Sequence, residues 1–112
     1  MKALTVRWSL AAAEDGVEES LAAYVADTSF AQFTGMAGLQ FKTWRMVPGE
    51  WFEGCYVFLS DEVRAEFQAT FTAGAAESPV SKITGAGPIL IEPCDIVAIA
   101  EGWEGFTAAP RA

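Results

Sequence analysis

Alternating apolar and polar side chains divide the chain into four predicted strands. Lys2–Leu10 places apolar side chains at every second position, and Asp95–Glu101 is predicted as the last strand, with Val97 and Ile99 on one face and Ile96 and Ala98 on the other. Two central stretches, Gly38–Val47 and Gly54–Ser60, are rich in the aromatic and β-branched residues that fit a pleated sheet. A Pro-Gly-Glu sequence at residues 48–50 is typical of a turn, so the central stretches predict a β-hairpin.

Apolar residues at helical spacing predict two helices. The first helix begins at Val17, and the second follows Ser60, a residue type that caps helix N-termini. The first apolar stripe contains Val17, Leu21, Tyr24, Val25 and Thr28, and the second contains Val63, Phe67, Thr70 and Phe71. Residues 80–88 hold two glycines and a proline, so they predict a connection.

The predicted elements follow the order strand, helix, strand, strand, helix, strand. This βαββαβ order is typical of the ferredoxin-like α+β fold, an antiparallel four-stranded sheet with both helices on one face. A chain of 112 residues predicts one domain. We expect that domain to span residues 1–102, followed by a C-terminal tail over residues 103–112.

Apolar side chains on both faces of the predicted strands indicate a second buried surface. Hydrophobic residues make up 52% of the chain. An antiparallel sheet with one face in water would carry mainly polar side chains on that face. We therefore expect a homodimer in which the uncovered face of one sheet packs against the same face of a partner sheet.

The charge balance argues against a nucleic-acid partner. Seven Lys and Arg residues face fifteen Asp and Glu residues, for a net charge of −8. Phosphate backbones and anionic membrane surfaces attract basic patches instead. No apolar run reaches the ~18 residues of a membrane span, and the N-terminus lacks a signal-peptide pattern. The sequence therefore predicts a cytoplasmic protein with no membrane or nucleic-acid partner.

The chain contains no histidine, which restricts its chemistry. A Ser-His-Asp triad, a His-ligated zinc and a proximal-His haem are excluded. With only Cys55 and Cys94 as thiols and no nucleotide-binding glycine loop, we expect no metal, haem or flavin cofactor. Proton transfer would then fall to Tyr, Lys, Asp, Glu, Cys or water.

The hairpin and its flanks resemble the YdhR-type monooxygenase family, which belongs to the dimeric α+β barrel superfamily. The resemblance covers most of residues 38–102. It is carried by Gly38, Leu39, Phe41, Lys42 and Trp44, by Gly54, Tyr56 and Phe58, and by Pro88, Ile91, Glu92, Ile96, Val97, Glu101 and Gly102. The resemblance implies a homodimer whose sheets pack face to face. It also implies a small-molecule pocket in each protomer between sheet and helices, and oxygenation without a cofactor. Superfamily relatives that use haem or histidine differ from this chain.

The catalytic candidates are Tyr56 and Arg45. A hairpin register symmetric about the loop places these two side by side and sets Trp44 opposite Val57. In a functional interpretation, the cation and the phenol together would orient a substrate oxygen or stabilise an oxyanion. In a structural interpretation, the two residues form an ordinary cross-strand pair. Because alternate residues point to opposite faces, either Arg45 with Tyr56 or Trp44 points into a pocket.

Aromatic residues are the candidates for substrate binding. Trp44, Tyr24, Phe67 and Phe71 would surround a site between the sheet and the inner stripes of the helices. Trp44 fits the core of a dimer interface equally well, and the Tyr24 hydroxyl fits a structural hydrogen bond. The charged strand residues Lys42 and Arg7 are interpreted as edge-strand charges that block aggregation.

Three functions remain open at the level of sequence. The resemblance implies a cofactor-independent monooxygenase acting on a small aromatic or polycyclic compound. A non-catalytic small-molecule-binding dimer of the same fold needs only the pocket. An isomerase or decarboxylase would use Tyr or a carboxylate as acid or base. A polar, convergent pocket would favour the isomerase or decarboxylase, and a wholly apolar one would favour the binding protein.

Overall fold

A four-stranded antiparallel sheet with helices packed on one face forms the fold. The computed structural model describes residues 1–106 of the chain. Its strands are β1 (Ala3–Ser9), β2 (Leu39–Val47), β3 (Trp51–Phe58) and β4 (Leu90–Cys94), in the spatial order β2-β3-β1-β4. This arrangement confirms the α+β, ferredoxin-like class that the sequence predicts.

The helical layer consists of four α-helices and two short irregular turns in the described range. The α-helices are α1 (Val17–Tyr24), α2 (Phe30–Phe33), α3 (Asp61–Gly74) and α4 (Pro79–Thr84). A π-helical turn, Val25–Ser29, joins α1 to α2, and a 3₁₀ turn, Ala75–Glu77, follows α3. Ser60 caps α3 as predicted, because its hydroxyl accepts a hydrogen bond of 3.2 Å from the Val63 amide. No helix within residues 1–106 is long and apolar enough to cross a membrane.

The hydrophobic core lies between the helices and the inner face of the sheet. Alternation in β1 turns Leu4, Val6 and Trp8 towards the helices, as the sequence predicts. The inward side chains of β3 lie beside them, and the helices cover both sets. The core residues from these other elements include Phe52, Tyr56, Phe58, Leu21, Phe33 and Val80.

The register of the hairpin differs from the prediction. Arg45 pairs with Glu53, whereas Tyr56 pairs with Lys42, three positions away from the predicted partner. The chain turns within residues 48–50, where Gly49 adopts a φ of 77°, so β3 begins at Trp51 rather than Gly54. A shift by an odd number of residues moves Arg45 and Tyr56 to opposite faces of the sheet.

The π-helical turn corrects the predicted stripe of the first helix. Val17 and Leu21 are buried as expected, but Thr28 is exposed and Ser29 is buried instead. A π turn inserts one extra residue into the helical repeat, so the position that faces the core shifts by one residue towards the C-terminus. The stripe then continues to Phe33, which is also buried.

The last strand is also placed differently from the prediction. β4 covers Leu90–Cys94, and Asp95–Glu101 forms no strand in the described part of the chain. Cys94 already pairs with Ala3, the first residue of β1, so the ladder has no partner strand beyond it. Pro93 lies in this strand, which is at the edge of the sheet, where a proline is tolerated.

Residues 80–88 contain most of α4, which the sequence does not predict. Ser78 caps this helix, Pro79 occupies its first turn, and Gly85 ends it with a φ of 85°. These are ordinary start and stop signals that the glycines further along obscure.

In the predicted C-terminal tail, the ring of Phe106 stacks on Phe41 at 5.6 Å, and residues 107–112 lie outside the described range.

Candidate functional site

A cavity of about 290 Å³ lies between the sheet and the helices. This volume is about twice the ~150 Å³ that accommodates benzene, so a planar molecule of two fused rings matches it. The lining is mainly aromatic. It comes from all three of the adjoining strands and from the helical layer, and includes Trp8, Lys42, Trp44, Phe52, Gly54, Tyr56, Tyr24, Ser29, Phe33, Phe67 and Phe71.

The four aromatic residues predicted for substrate binding all border this cavity. Trp44 approaches from β2, Tyr24 from α1, and Phe67 and Phe71 from α3. Tyr56 borders it too, because Tyr56 and Trp44 point to the same face of the hairpin. The three helical side chains are only half-buried, so the cavity is reached from the helical side.

Arg45, the other catalytic candidate, lies on the opposite face of the sheet. Its Nε donates a 2.7 Å hydrogen bond to Glu53 Oε1, and Arg7 Nε donates one of 2.8 Å to Oε2. The Glu53 side chain is fully buried beneath the two arginines, and the Arg7 guanidinium lies 4.2 Å from the centre of the Trp51 ring. Burial alone would raise the pKa of Glu53, but the two hydrogen bonds outweigh it and hold that pKa below its ordinary value.

Lys42 is the cavity residue whose role the sequence interpretation missed. It lies on an edge strand, as the interpretation assumed, but its side chain points inward between three aromatic rings. Nζ lies 3.6 Å from the centre of the Phe33 ring, 4.4 Å from that of Tyr56 and 4.5 Å from that of Trp44. The sequence signal for this orientation is the alternation of the strand, which places Lys42 and Trp44 on the same face. The same edge-strand interpretation is wrong for Arg7, which lies in the interior strand β1.

The Lys42 amine is held in an apolar environment. None of the ion pairs formed within residues 1–106 involves it, and the surrounding groups are ring faces. Burial lowers the pKa of Lys42 from 10.5 to about 7, against a smaller opposing electrostatic effect of Cys55. Near neutral pH the amine is therefore divided between a basic, nucleophilic form and a cationic form.

Gly54 makes room for Lys42 and Tyr56 to meet. A Cβ atom on Gly54 would lie 3.2 Å from Lys42 Cε, 3.2 Å from Tyr56 Cε1 and 3.3 Å from the Tyr56 hydroxyl oxygen. The end of the Lys42 side chain and the Tyr56 hydroxyl therefore both lie above Gly54. Burial raises the pKa of Tyr56 above its ordinary value, so its hydroxyl stays protonated and available as a hydrogen-bond donor.

Hydrogen bonds from two indoles fix the walls of the cavity. Trp44 Nε1 donates to the hydroxyl of buried Ser29 at 3.2 Å, a contact created by the π-helical turn. Trp8 Nε1 donates to Ser81 Oγ at 3.0 Å, and Ser81 Oγ in turn donates to the Ala75 carbonyl at 2.6 Å. Both indole N–H groups are satisfied by the protein, so the rings present their faces to a ligand.

The two thiols lie on strands that flank β1 from opposite sides. Cys55 pairs with Thr5 and Cys94 with Ala3, and both thiols are free. Burial and the Glu53 carboxylate raise the pKa of the Cys55 thiol, which keeps it protonated. Residues 1–106 contain no cluster of three or more acidic or thiol side chains arranged to hold a metal ion.

No family model matches this chain, and no curated protein matches it.

Proposed function

We propose that the cavity binds a small planar aromatic compound and that the protein oxygenates it without a cofactor. The proposal follows the resemblance to the YdhR-type monooxygenases. The observation that supports it best is the Lys42 amine, unpaired by any carboxylate of the described residues and enclosed by aromatic rings. In such a reaction a substrate C–H group loses a proton and becomes an electron-rich carbanion. The neutral amine can act as the base for that step, and the resulting ammonium can then stabilise the carbanion.

The reaction balances with dioxygen as the only co-reactant. The neutral Lys42 amine removes a proton from an activated ring CH₂ group, and the resulting ammonium holds the carbanion. The carbanion passes electrons to dioxygen, a C–O bond forms, and the O–O bond then breaks. One oxygen atom remains as a carbonyl and the other leaves as water, so CH₂ plus O₂ gives C=O plus H₂O. The Tyr56 hydroxyl donates a hydrogen bond to the substrate's oxygen, and the aromatic walls exclude water.

A turnover screen in air and under argon tests this proposal. Fused-ring phenols and ketones with an activated CH₂ group serve as substrates, and ¹⁸O₂ labelling follows the oxygen atom. We expect conversion in air alone, with one ¹⁸O atom in the product. Lys42→Met should remove the base and reduce the rate by at least about tenfold, or ~1.4 kcal/mol of barrier. Conversion that proceeds equally under argon would point to the isomerase or decarboxylase instead.

A second candidate is a non-catalytic small-molecule-binding protein of the same fold. The predominantly apolar lining favours it, since hydrophobic and aromatic walls suffice to bind a flat ligand. Binding of the same compounds without conversion in air would select this function.

We further propose that the protein is a cytoplasmic homodimer built through the outer face of the sheet. Several large apolar side chains are exposed in the isolated protomer, among them Val97 at 98% and Trp103 at 99% exposure. Trp51 and Phe41 lie on the outer face itself. Analytical ultracentrifugation at micromolar concentration tests the dimer, and a stable monomer would contradict it. The free thiols fit a reducing compartment.

A further inference from the structure

We propose that Lys42 is also a covalent binding site, whose ε-amine forms an imine with a small planar aromatic aldehyde or ketone held in the cavity. This reaction consumes no oxygen and does not depend on the oxygenation proposed above. It assigns to the cavity a second class of ligand, the aromatic carbonyl compounds.

The position of the amine supports nucleophilic attack. Lys42 Nζ lies within 4.5 Å of three ring centres, on Phe33, Tyr56 and Trp44, and projects into the space that a ligand would fill. None of the ion pairs of residues 1–106 holds it in the cationic form. A lysine amine in a hydrophobic pocket is a recognised nucleophile towards carbonyl compounds.

The acid–base state of Lys42 agrees with this position. Because burial lowers its pKa to about 7, a far larger fraction of the amine is neutral at neutral pH than the roughly 0.03% of an ordinary lysine. The titratable side chains that line the cavity with it are Tyr24 from α1 and Tyr56 from β3. Neither side chain is a carboxylate, so the cavity lining adds no ion pair that would hold Lys42 protonated.

The shape and size of the cavity select the carbonyl compound. Aromatic faces surround the amine, and planar rings stack favourably against such faces. The volume of about 290 Å³ fits two fused rings that carry one carbonyl group. An aliphatic aldehyde would reach the amine but would gain little from the walls.

The chemical steps balance without an oxidant or reductant. The nitrogen lone pair forms a C–N bond to the carbonyl carbon, and the C=O π electrons move to oxygen. The Tyr56 hydroxyl, which lies over Gly54 together with the Lys42 stem, can donate a proton to that oxygen. The nitrogen then loses its two protons, one of which restores the Tyr56 hydroxyl while the other reaches the same oxygen, and the nitrogen lone pair forms the C=N bond as the C–O bond breaks. Water leaves, and amine plus carbonyl gives imine plus water.

Reductive trapping tests this proposal directly in the folded chain of 112 residues. The protein is incubated under argon with 2-naphthaldehyde at pH 7, reduced with sodium cyanoborohydride, digested and mapped by mass spectrometry. Lys2 and Lys82, the other two lysines, serve as internal controls. We expect Lys42 to be labelled at least about tenfold faster than each control amine.

Two comparisons make the outcome decisive. In urea-unfolded protein the preference for Lys42 should disappear, because the cavity that lowers its pKa is lost. With propionaldehyde in the folded protein the preference should shrink, because the aromatic walls no longer contribute. Equal labelling of Lys42, Lys2 and Lys82 in the folded protein would overturn the proposal, as would a preference that survives unfolding. Neither result would affect the oxygenation test, since this experiment excludes oxygen.

Discussion

Lys42 lies directly opposite Tyr56 in the β2–β3 ladder, and its Nζ is 4.4 Å from the centre of the Tyr56 ring. The same register sets Arg45 opposite Glu53 on the other face. The sheet thus separates two kinds of cation. The arginines neutralise a buried carboxylate, whereas the lysine lies among aromatic rings. This separation predicts that substitutions on the two faces affect different properties.

The stability of the protein should depend on pH through Lys42. Burial lowers the pKa of Lys42 in the folded chain to about 7, whereas the unfolded value is 10.5. Between these values the unfolded chain binds the proton that the folded chain has released. The free energy of unfolding should therefore rise with pH across this window, by at most about 1.4 kcal/mol per pH unit.

The Lys42→Met variant isolates this effect. Urea unfolding at pH 6.5, 7.5, 8.5 and 9.5 should show a smaller rise in stability with pH than in the parent chain. Lys82→Met, at an exposed position, is the matched control and should keep the parental slope. Identical slopes in all three proteins would show that Lys42 titrates normally.

Tyr56→Phe and Arg45→Ala should differ in their effect on turnover. Tyr56→Phe removes only the hydroxyl that we propose as the donor to the substrate's oxygen, so the rate should fall by at least about tenfold. Arg45→Ala removes a side chain on the far face, so turnover should stay at the parental rate while stability falls. If the arginine variant loses activity with the fold intact, the site is not the cavity.

Glu53 should reveal the energetic coupling of the two arginines. Arg7→Met or Arg45→Met alone leaves the buried carboxylate with one arginine, whereas the double variant leaves it with no cation and only the Cys55 thiol, whose Sγ lies 3.6 Å from Glu53 Oε1. An uncompensated buried charge costs about 3–5 kcal/mol, so the double variant should lose more stability than the sum of the single losses. Adding Glu53→Gln to the double variant should recover part of that loss, as measured by urea unfolding. Strict additivity would contradict the coupling.

The sequence predicts the fold better than the site, and particular residues show why. Alternation in β1 and the Ser60 cap are local signals, and both hold in the structure. The hairpin register depends on which residues form the turn. The predicted register was wrong by three residues, so it placed Arg45 beside Tyr56, where the structure has Lys42. The burial of Ser29 depends on a π turn that has no signature in the residue pattern.

Lys42 illustrates a different limit of sequence interpretation. Its alternation with Trp44 places it on the inner face, but a lysine in an edge strand normally protects that edge. Only the approach of Phe33 from α2 encloses the amine, and that contact joins residues from separate elements. The chemistry of the cavity therefore arises from tertiary packing.

Gly54→Ala should damage the cavity while preserving the fold. Gly54 lies within β3 and does not have a positive φ, so an alanine is compatible with the backbone. Its methyl group, however, would lie only 3.2 Å from both Lys42 Cε and Tyr56 Cε1. The two side chains would have to move apart, and such overpacking costs about 1–3 kcal/mol of stability.

The consequence should appear in ligand binding as well as in stability. The methyl group narrows the cavity where Lys42 and Tyr56 meet, so affinity for 2-naphthol should fall by about tenfold, or ~1.4 kcal/mol. Quenching of tryptophan fluorescence measures this, because Trp8 and Trp44 border the cavity. Gly87→Ala is the matched control, since a Cβ at that position would have no neighbour within 4 Å. If Gly54→Ala and Gly87→Ala bind 2-naphthol equally well, the space over Gly54 is not part of the binding site.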